Sequence, residues 1–354
     1  MGKYILKRLL LIIPTLFLIL LTNFAIIQSA PGGPVEQKIA QIEQERKHGG
    51  AGVEGMAVNT NSTPYQGSRG LSPAMVEAIK QQYGFDKSAP ERFWRMVKSY
   101  AHFDFGKSFF KGKPVGQLIL DKMPVSISLG LWSTLLIYLI AIPLGIAKAR
   151  RHNSLMDKST AVLLAVSYAV PVFVLAVVLL VLFAGGEFWQ IFPLQGLVSE
   201  HFDKLSFFGK IKDYFWHLAL PLTASTIGGF AGLTYLTKFS FMEELNKQYV
   251  LTARSKGLSE KRVLYSHVFR NAMMIIIAGL PSAIIGIFFT GNFLIEVIFN
   301  LDGLGRLGFE AIQQRDYPVI FGTLFIFTLM GLILQLVSDV MYHWIDPRID
   351  FEGR

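Results

Sequence analysis

Two short stretches of the chain spell motifs that bind magnesium or phosphate in other proteins. Asp104–Gly106 (DFG) matches a magnesium-binding triplet, and Gly106–Ser108 (GKS) matches the end of a phosphate-binding loop. That loop needs another glycine five residues before Gly106, and Ala101 stands there instead. The sequence also offers no strand before the match and no helix after it, which such loops require. A turn after an amphipathic helix accounts for both matches, and we expect no catalytic site here.

Other patterns that mark enzyme active sites are missing from the sequence. The chain of 354 residues contains no cysteine, which excludes disulfide bonds, a thiol nucleophile and a cysteine-based zinc site. The patterns H-E-x-x-H and G-x-S-x-G do not occur either. We therefore expect this chain to have no catalytic residue, no metal site and no cofactor of its own.

A basic segment, residues 237–271, has the pattern of a structured element rather than of an irregular loop. It carries seven basic and three acidic residues between two apolar stretches. Gly257 predicts the end of a helix, because glycine at that position readily adopts a positive φ. Ser259 is suited to cap the next helix, and Glu260 would lie in its first turn, near the positive end of the helix dipole. The pattern predicts two helices joined by a tight glycine turn.

The first of these helices is expected to continue from the preceding apolar stretch, through Phe241, Leu245, Tyr249 and Thr252. The hairpin would then present small or apolar side chains among positive charges. These residues are Ala253, Leu258, Arg254, Lys256 and Lys261. Two readings remain open. A basic hairpin can lie on anionic lipid, or a rigid helix pair can dock on a cytoplasmic partner and transmit its motion.

Six apolar stretches are long enough to cross a membrane, since about 20 helical residues span about 30 Å of hydrocarbon. The chain is 52% hydrophobic, with a mean hydropathy of +0.42. The predicted spans are residues 9–30, 125–147, 161–184, 218–236, 272–293 and 319–345. The fourth has the weakest pattern because it is rich in glycine and threonine. We expect the first to stay as an uncleaved helix, because its apolar run is longer than that of a signal peptide.

The distribution of charge predicts the orientation, because Lys and Arg accumulate in short cytoplasmic loops. With both termini in the cytoplasm, the cytoplasmic parts together carry the whole net charge of +9. These parts are the N-terminal head, residues 148–159, 237–271 and 346–354. The basic balance is therefore a topology signal, and nucleic acid is not expected as a partner. The predicted spans have no charged residue near mid-depth, which disfavours an ion-coupled carrier.

The stretch between the first two spans is predicted to lie outside the cytoplasm as a small helical insertion. Residues 49–70 are rich in Gly, Asn, Ser and Thr, which is typical of a flexible linker. One helix is expected between Pro73 and Gly84, and a second over residues 90–102. The predicted parts are an N-terminal membrane helix at 1–30, the insertion at 31–124, a membrane core of five helices at 125–345 and a tail at 346–354.

Several motifs resemble those of one family of membrane proteins. Residues 252–258 read TARSKGL and are followed by His267 and by Arg270-Asn271-Ala272. This pattern resembles the coupling loop (EAA loop) of bacterial ABC-importer permeases of the peptide and nickel branch. The opening LKRLLLIIPTLFLI, the outer YGFDKSAPERFWRMVKSYAHFDFGKSF and the closing DPRIDFEGR are similar to the B-type subunit of that branch. The general Glu-Ala-Ala pattern is only partly met, since Leu251, Thr252 and Ala253 occupy those positions.

The resemblance implies an all-α, polytopic membrane protein with six transmembrane helices and the type I ABC-importer permease fold. The function it implies is ATP-driven import of peptides from the periplasm to the cytoplasm by alternating access, in the bacterial inner membrane. Oligopeptides are favoured over dipeptides or nickel. A more specific likeness is to a subfamily of Gram-negative peptide permeases that also take up the peptide-nucleotide antibiotic microcin C.

The resemblance also implies partners. These are a homologous second permease that forms a heterodimer, two ABC ATPase domains or subunits, a periplasmic peptide-binding protein and membrane lipid. The ATPases, and not this chain, would bind ATP and magnesium. The implied ATPase-coupling residues are Tyr249, Thr252, Ala253, Arg254, Lys256, Gly257, Leu258, Ser259 and Glu260. The sequence does not identify the residues that contact substrate.

Two other classes of protein remain as alternatives. One is a channel or ion-coupled carrier, which the lack of mid-membrane charge disfavours. The other is a membrane-embedded enzyme or scaffold, which the lack of a catalytic cluster disfavours. Dependence of uptake on a separate ATPase, rather than on a proton gradient, would discriminate the importer from the carrier.

Overall fold

A computed structural model describes residues 2–29, 87–185, 188–289 and 293–345. Every regular element in these ranges is helical, apart from an isolated antiparallel bridge between Lys107 and Pro114. The predicted all-α fold is therefore confirmed. The expected helix between Pro73 and Gly84, the linker at 49–70 and the tail at 346–354 lie outside the described residues.

Helices make up most of the described residues. They are α1 Gly2–Ser29, α2 Ala89–Ala101, α3 Val115–Arg150, α4 Leu155–Ala169, α5 Val172–Phe183, α6 Phe207–Ile227, α7 Phe230–Leu245, α8 Gln248–Ser255, α9 Glu260–Arg262, α10 Phe269–Phe289, α11 Phe293–Ile298, α12 Leu304–Gln314 and α13 Tyr317–Ile345. A 3-10 turn at Phe202–Lys204 precedes α6, and a π-helix at Val263–Val268 joins α9 to α10.

The described residues divide into two compact units. One contains the described parts of Met1–Leu10, Ile119–Phe309 and Phe327–Arg354. The other contains the described parts of Leu11–Leu118 and Glu310–Ile326. The first unit holds the basic segment and most of the predicted membrane core, and the second holds helix α2.

Four helices in the described ranges are long and apolar enough to cross a membrane. They are Tyr4–Ala25, Val115–Arg150, Glu260–Ile287 and Tyr317–Tyr342. The pair α4 and α5 makes a fifth crossing if it counts as one span, although the two helices meet at 93°. The bend lies at Pro171, because the residue before a proline is disfavoured in a helix and α4 ends at Ala169. The described residues thus show four or five spans where the sequence predicts six.

The fourth predicted span, residues 218–236, is not a single helix in the structure. It is divided between α6 and α7, which are separated at Gly228 and Gly229. Helix α7 has 16 residues, fewer than the roughly 20 that a crossing needs. Helix α6 carries Lys210, Lys212 and Asp213 in its first half. The weak pattern of this stretch therefore reflects two consecutive helices rather than one apolar span.

Helix α3 is much longer than the span predicted within it. Its 36 residues make a rod of about 54 Å, compared with about 30 Å of hydrocarbon. Both Pro124 and Pro143 lie inside it. The predicted boundary at residue 124 therefore falls within a helix.

Helix α2 packs through two aromatic side chains. Phe93 and Tyr100 are buried, and the Phe93 ring lies 5.5 Å from the ring of Phe17. The Tyr100 ring lies 5.4 Å from that of Phe325. Trp94, which the periodicity places on the same apolar face, is instead exposed over 62% of its surface. The apolar face of α2 is narrower than its sequence suggests.

Residues 104–108, whose sequence matches the magnesium- and phosphate-binding motifs, form a turn held by hydrogen bonds of polar groups. Gly106 has a φ of 75°, and its amide donates to Oδ1 of Asp104 at 3.0 Å. The buried Ser108 donates its hydroxyl to Asp316 and accepts from the amide of Lys111 at 2.9 Å. These residues have structural partners, and the predicted turn is confirmed.

A buried ionic cluster joins three helices in the larger unit. The carboxylate of Asp157 (α4) lies 2.9 Å from Nζ of Lys148 (α3) and 2.8 Å from Nζ of Lys238 (α7). Lys148 Nζ also donates to the Thr160 hydroxyl at 2.7 Å. Lys148 is fully buried and Asp157 is 4% exposed. Buried charges need such partners, because removing one member of a pair leaves an uncompensated charge in the interior.

Helices α3 and α7 approach each other closely beside this cluster. A Cβ atom added to Gly145 would lie 2.5 Å from Cβ of Thr237 and 2.7 Å from the carbonyl oxygen of Thr234. Both distances are shorter than real Cβ contacts. The helix that leads into the basic segment is therefore tied to α3 by close packing and by the shared carboxylate of Asp157.

Candidate functional site

The basic segment begins with a break in the helix. Helix α7 ends at Leu245, and α8 starts at Gln248 after an extended Lys247 with φ −76° and ψ 151°. The predicted continuous helix through Tyr249 and Thr252 is therefore wrong. The carboxylate of Glu244 explains the break, because it binds Nζ of Lys247 and accepts from the Tyr249 hydroxyl at 2.6 Å. These contacts link the start of α8 to the end of α7.

The predicted glycine turn is confirmed in detail. Gly257 has a φ of 76°. Its amide donates to the carbonyl oxygen of Arg254 at 2.9 Å. The amide of Leu258 donates to the carbonyl oxygen of Ala253 at 3.4 Å. This pair of bonds, with a left-handed glycine directly after the helix, is the Schellman ending. It satisfies carbonyl groups that the last turn of α8 would otherwise leave open.

Ser259 occupies the position before the second helix, as the sequence predicts. Its backbone is extended, with φ −63° and ψ 147°, but its side chain makes no capping hydrogen bond. Glu260, in the first turn of α9, is bound by the guanidinium of Arg254 through Nε (2.8 Å) and Nη2 (3.0 Å). The side chains across the turn, rather than a serine cap, brace the two helices. Because both partners are largely exposed, this pair stabilises the fold by about 1 kcal/mol or less.

One face of the segment belongs to the core of the unit. Val250 is fully buried and Ala253 is 7% exposed, and both pack with Val263, Leu264 and Val268. Ala253 was expected to be a contact that the hairpin presents outward. It instead faces the chain's own core, because α8 lies flat against the π-helix. Leu258 is half-buried against the same cluster.

The opposite face is exposed and mostly polar. It contains Thr252, Arg254, Lys256, Gly257, Ser259 and Glu260 from the predicted set, and Tyr249 is half-buried beside it. Two apolar side chains of the basic segment that the prediction missed are also exposed: Leu251 over 53% of its surface and Tyr265 over 54%. Helical spacing could have predicted that Leu251 is exposed. Val250 and Ala253 are three residues apart and share the buried face of α8, so Leu251 lies beside that face. The exposed side chains of the segment are therefore mostly basic or polar, with two apolar ones among them.

Acid should weaken the contact that holds α8 against α7. Burial raises the pKa of Glu244, but the hydrogen bonds from Lys247 and Tyr249 outweigh it, so the pKa is lowered from its ordinary value. A carboxylate with a lowered pKa stabilises the fold above its unfolded pKa of about 4.3, and this stabilisation is lost as the pH falls through the folded pKa. We expect Glu244→Gln to lower the melting temperature at pH 7, and the difference from the unmodified chain to shrink below about pH 4.

The matched control for this measurement is Glu243→Gln. Its carboxylate is 77% exposed and lies 3.9 Å from the same Lys247 ammonium. It should change the melting temperature little at any pH, since exposed pairs contribute about 1 kcal/mol or less. A Glu244→Gln difference that is the same at pH 7 and at about pH 3 would contradict the assigned linkage.

Comparisons with known proteins cover the whole chain. Residues 141–351 match the family model described as "Binding-protein-dependent transport system inner membrane component". The chain is 54% identical to the inner membrane ABC transporter permease protein YejB of Escherichia coli O157:H7 over 100% of both chains. It is 53% identical to the peptidoglycan transport system permease protein YejB of Agrobacterium fabrum, again over 100% of both.

More distant relatives and a solved structure also match. The oligopeptide transport system permease protein AppB of Bacillus subtilis is 30% identical over 99% of this chain and 100% of its own. A chain from inward facing conformations of the MetNI methionine ABC transporter is 11% identical, with a TM-score of 0.46, over 65% of this chain and 96% of that one.

Proposed function

Because the chain belongs to the family of binding-protein-dependent transport system inner membrane components, we propose that it imports peptides as the permease subunit of an ATP-driven transporter. The observation that carries this proposal is the exposed basic turn at Gly257. The opposite face of the same segment packs into the hydrophobic core of the unit. A partner that moves this turn would also move α7, α8 and α10, because Phe241, Val250 and Ala272 of these three helices pack in one cluster. The predicted peptide-permease identity is supported by relatives that match over their full length.

The coupling surface consists of the exposed face of the turn. Leu251 and Tyr265 would enter a cleft of the ATPase, and Arg254, Lys256 and Lys261 would meet its acidic or polar groups. Ala253 and Leu258 act from within, by fixing the turn to the core. Closure of the ATPases on ATP would push the turn, and the spans would change from inward facing to outward facing. This chain would contribute no ATPase chemistry of its own.

The proposed assembly has a second, homologous permease, two ABC ATPase domains or subunits that bind ATP and magnesium, and a periplasmic peptide-binding protein. The basic turn and both termini would lie in the cytoplasm, in agreement with the distribution of positive charge. Short peptides are the proposed cargo. Peptides released from peptidoglycan and peptide antibiotics of the microcin C kind belong to the same chemical class.

The test is purification in mild detergent followed by reconstitution into vesicles. We expect a second permease and P-loop ATPases to co-purify with the chain. Uptake of a defined mixture of short synthetic peptides, supplied with the binding protein, should require ATP and persist after the proton gradient is collapsed. Uptake that follows the proton gradient and ignores ATP would contradict the proposal and favour an ion-coupled carrier.

A further inference from the structure

The polar side chains of the last span lie on one face. From Leu324 to Tyr342, α13 is apolar except for Thr328, Gln335, Ser338, Asp339 and Tyr342. All five line a single groove between α13 and α10. On α10, Ser282 is the one residue between Ala272 and Ile287 whose side chain carries oxygen or nitrogen, and it lines the same groove. The polar groups of two apolar helices therefore converge on one surface.

The groove has the size of a binding site for a small molecule or a short peptide segment. Its volume is about 610 Å³, within the range of about 300–1,000 Å³ that ligand sites occupy. Apolar side chains, among them Ile285, Phe327 and Leu332, line the groove together with the polar ones. The lining thus offers both hydrogen bonds and apolar contact.

The side-chain amide of Gln335 indicates what kind of environment the groove faces. Its side chain is exposed, and within the described part of the chain it has no hydrogen-bond partner. An amide without a partner is costly in hydrocarbon, so polar residues of membrane helices face water, protein or a ligand. The groove is therefore not a lipid-facing surface.

The charge in the groove is already compensated. Asp339 accepts a hydrogen bond from the Tyr4 hydroxyl at 2.8 Å and lies 3.3 Å from Nη2 of Arg8. The groups left to meet a ligand are neutral donors and acceptors. Neutral groups suit the amides that every peptide backbone shares, and they do not select for one charge of side chain.

We propose that this groove is the chain's share of the surface along which the transported peptide passes. The inference rests on the proposed function, because it assigns a place to its cargo. Ser282, Thr328, Gln335 and Ser338 exchange hydrogen bonds with peptide amides, and Phe327 and Ile285 contact apolar side chains.

The absence of cysteine allows a direct test. In vesicles that hold the full transporter, Gln335→Cys is treated with a membrane-impermeant thiol reagent, and labelling of this chain is followed. The control is Val337→Cys, on the same helix, 46% exposed but outside the groove. Labelling at 335 should be at least about tenfold faster than at 337, because the reacting thiolate needs water. A saturating mixture of short synthetic peptides should slow labelling at 335 and leave 337 unchanged.

Two results would overturn the inference. They are equally slow labelling at 335 and 337, and fast labelling at 335 that peptides do not slow. Uptake of the same peptide mixture by the unmodified transporter separates the two proposals. If ATP-driven uptake is present while protection fails, only the groove assignment is wrong. If uptake itself is absent, the proposed function is wrong and the groove assignment falls with it.

Discussion

Replacing Asp157 with alanine is expected to destabilise the chain by about 3–5 kcal/mol, the cost of leaving buried charges without their partner. The carboxylate lies 2.8–2.9 Å from the ammonium groups of Lys148 and Lys238. Its loss would leave two cations in an interior where Lys148 is fully buried and Lys238 is 7% exposed. The readouts are the melting temperature of the purified chain in detergent and its abundance in the membrane.

Two variants make this prediction specific. Asp302→Ala removes an ion pair with Lys122 in which the aspartate is 61% exposed, and it should cost about 1 kcal/mol or less. Lys238→Met removes one of the two cations but leaves Lys148 paired with Asp157, so it should be milder than Asp157→Ala. Equal melting temperatures for Asp157→Ala and Asp302→Ala would show that the cluster does not hold α3, α4 and α7 together.

Replacing Gly257 with valine is expected to impair ATP-driven uptake at least about fivefold, the lower end of typical coupling effects between sites. A left-handed backbone costs an ordinary L-residue roughly 1–2 kcal/mol, and a β-branched residue tolerates it poorly. A Cβ atom added at Gly257 would meet nothing within 4 Å, so the effect comes from the backbone and not from a clash. Uptake per assembled transporter in vesicles is the measurement.

The control for the glycine turn is Gly257→Asn. Asparagine adopts the left-handed conformation more readily than other non-glycine residues, so this variant should retain most of the uptake. Both variants should reach the membrane in normal amount, because the turn is exposed and Val250 and Val263 still anchor its flanks. Normal uptake by Gly257→Val at equal abundance would show that the turn geometry does not matter for coupling.

Local sequence was sufficient for features that depend on neighbouring residues. The glycine turn at Gly257, the extended Ser259 before α9 and the polar turn at Gly106 follow from backbone preferences within a few residues. Most of the spans follow from long apolar runs, because hydrocarbon thickness sets a minimum length for any crossing helix. The family resemblance also lies in contiguous motifs, and it is confirmed by relatives that match along the whole chain.

Tertiary structure decided the features that join distant residues. The carboxylate of Glu244 interrupts the helix that periodicity continues through Tyr249, and packing turns Ala253 inward and leaves Leu251 exposed. Asp157 meets Lys238 from 81 positions away, and Ser282 shares a groove with Gln335. The sequence by itself determined the class of protein, its helical character and the bend at the basic turn. Only the fold decided which charges are paired, which face of the turn is exposed and where polar groups converge. The physical reason is that sequence pattern indicates the apolar face of a helix but not which other helix packs against that face.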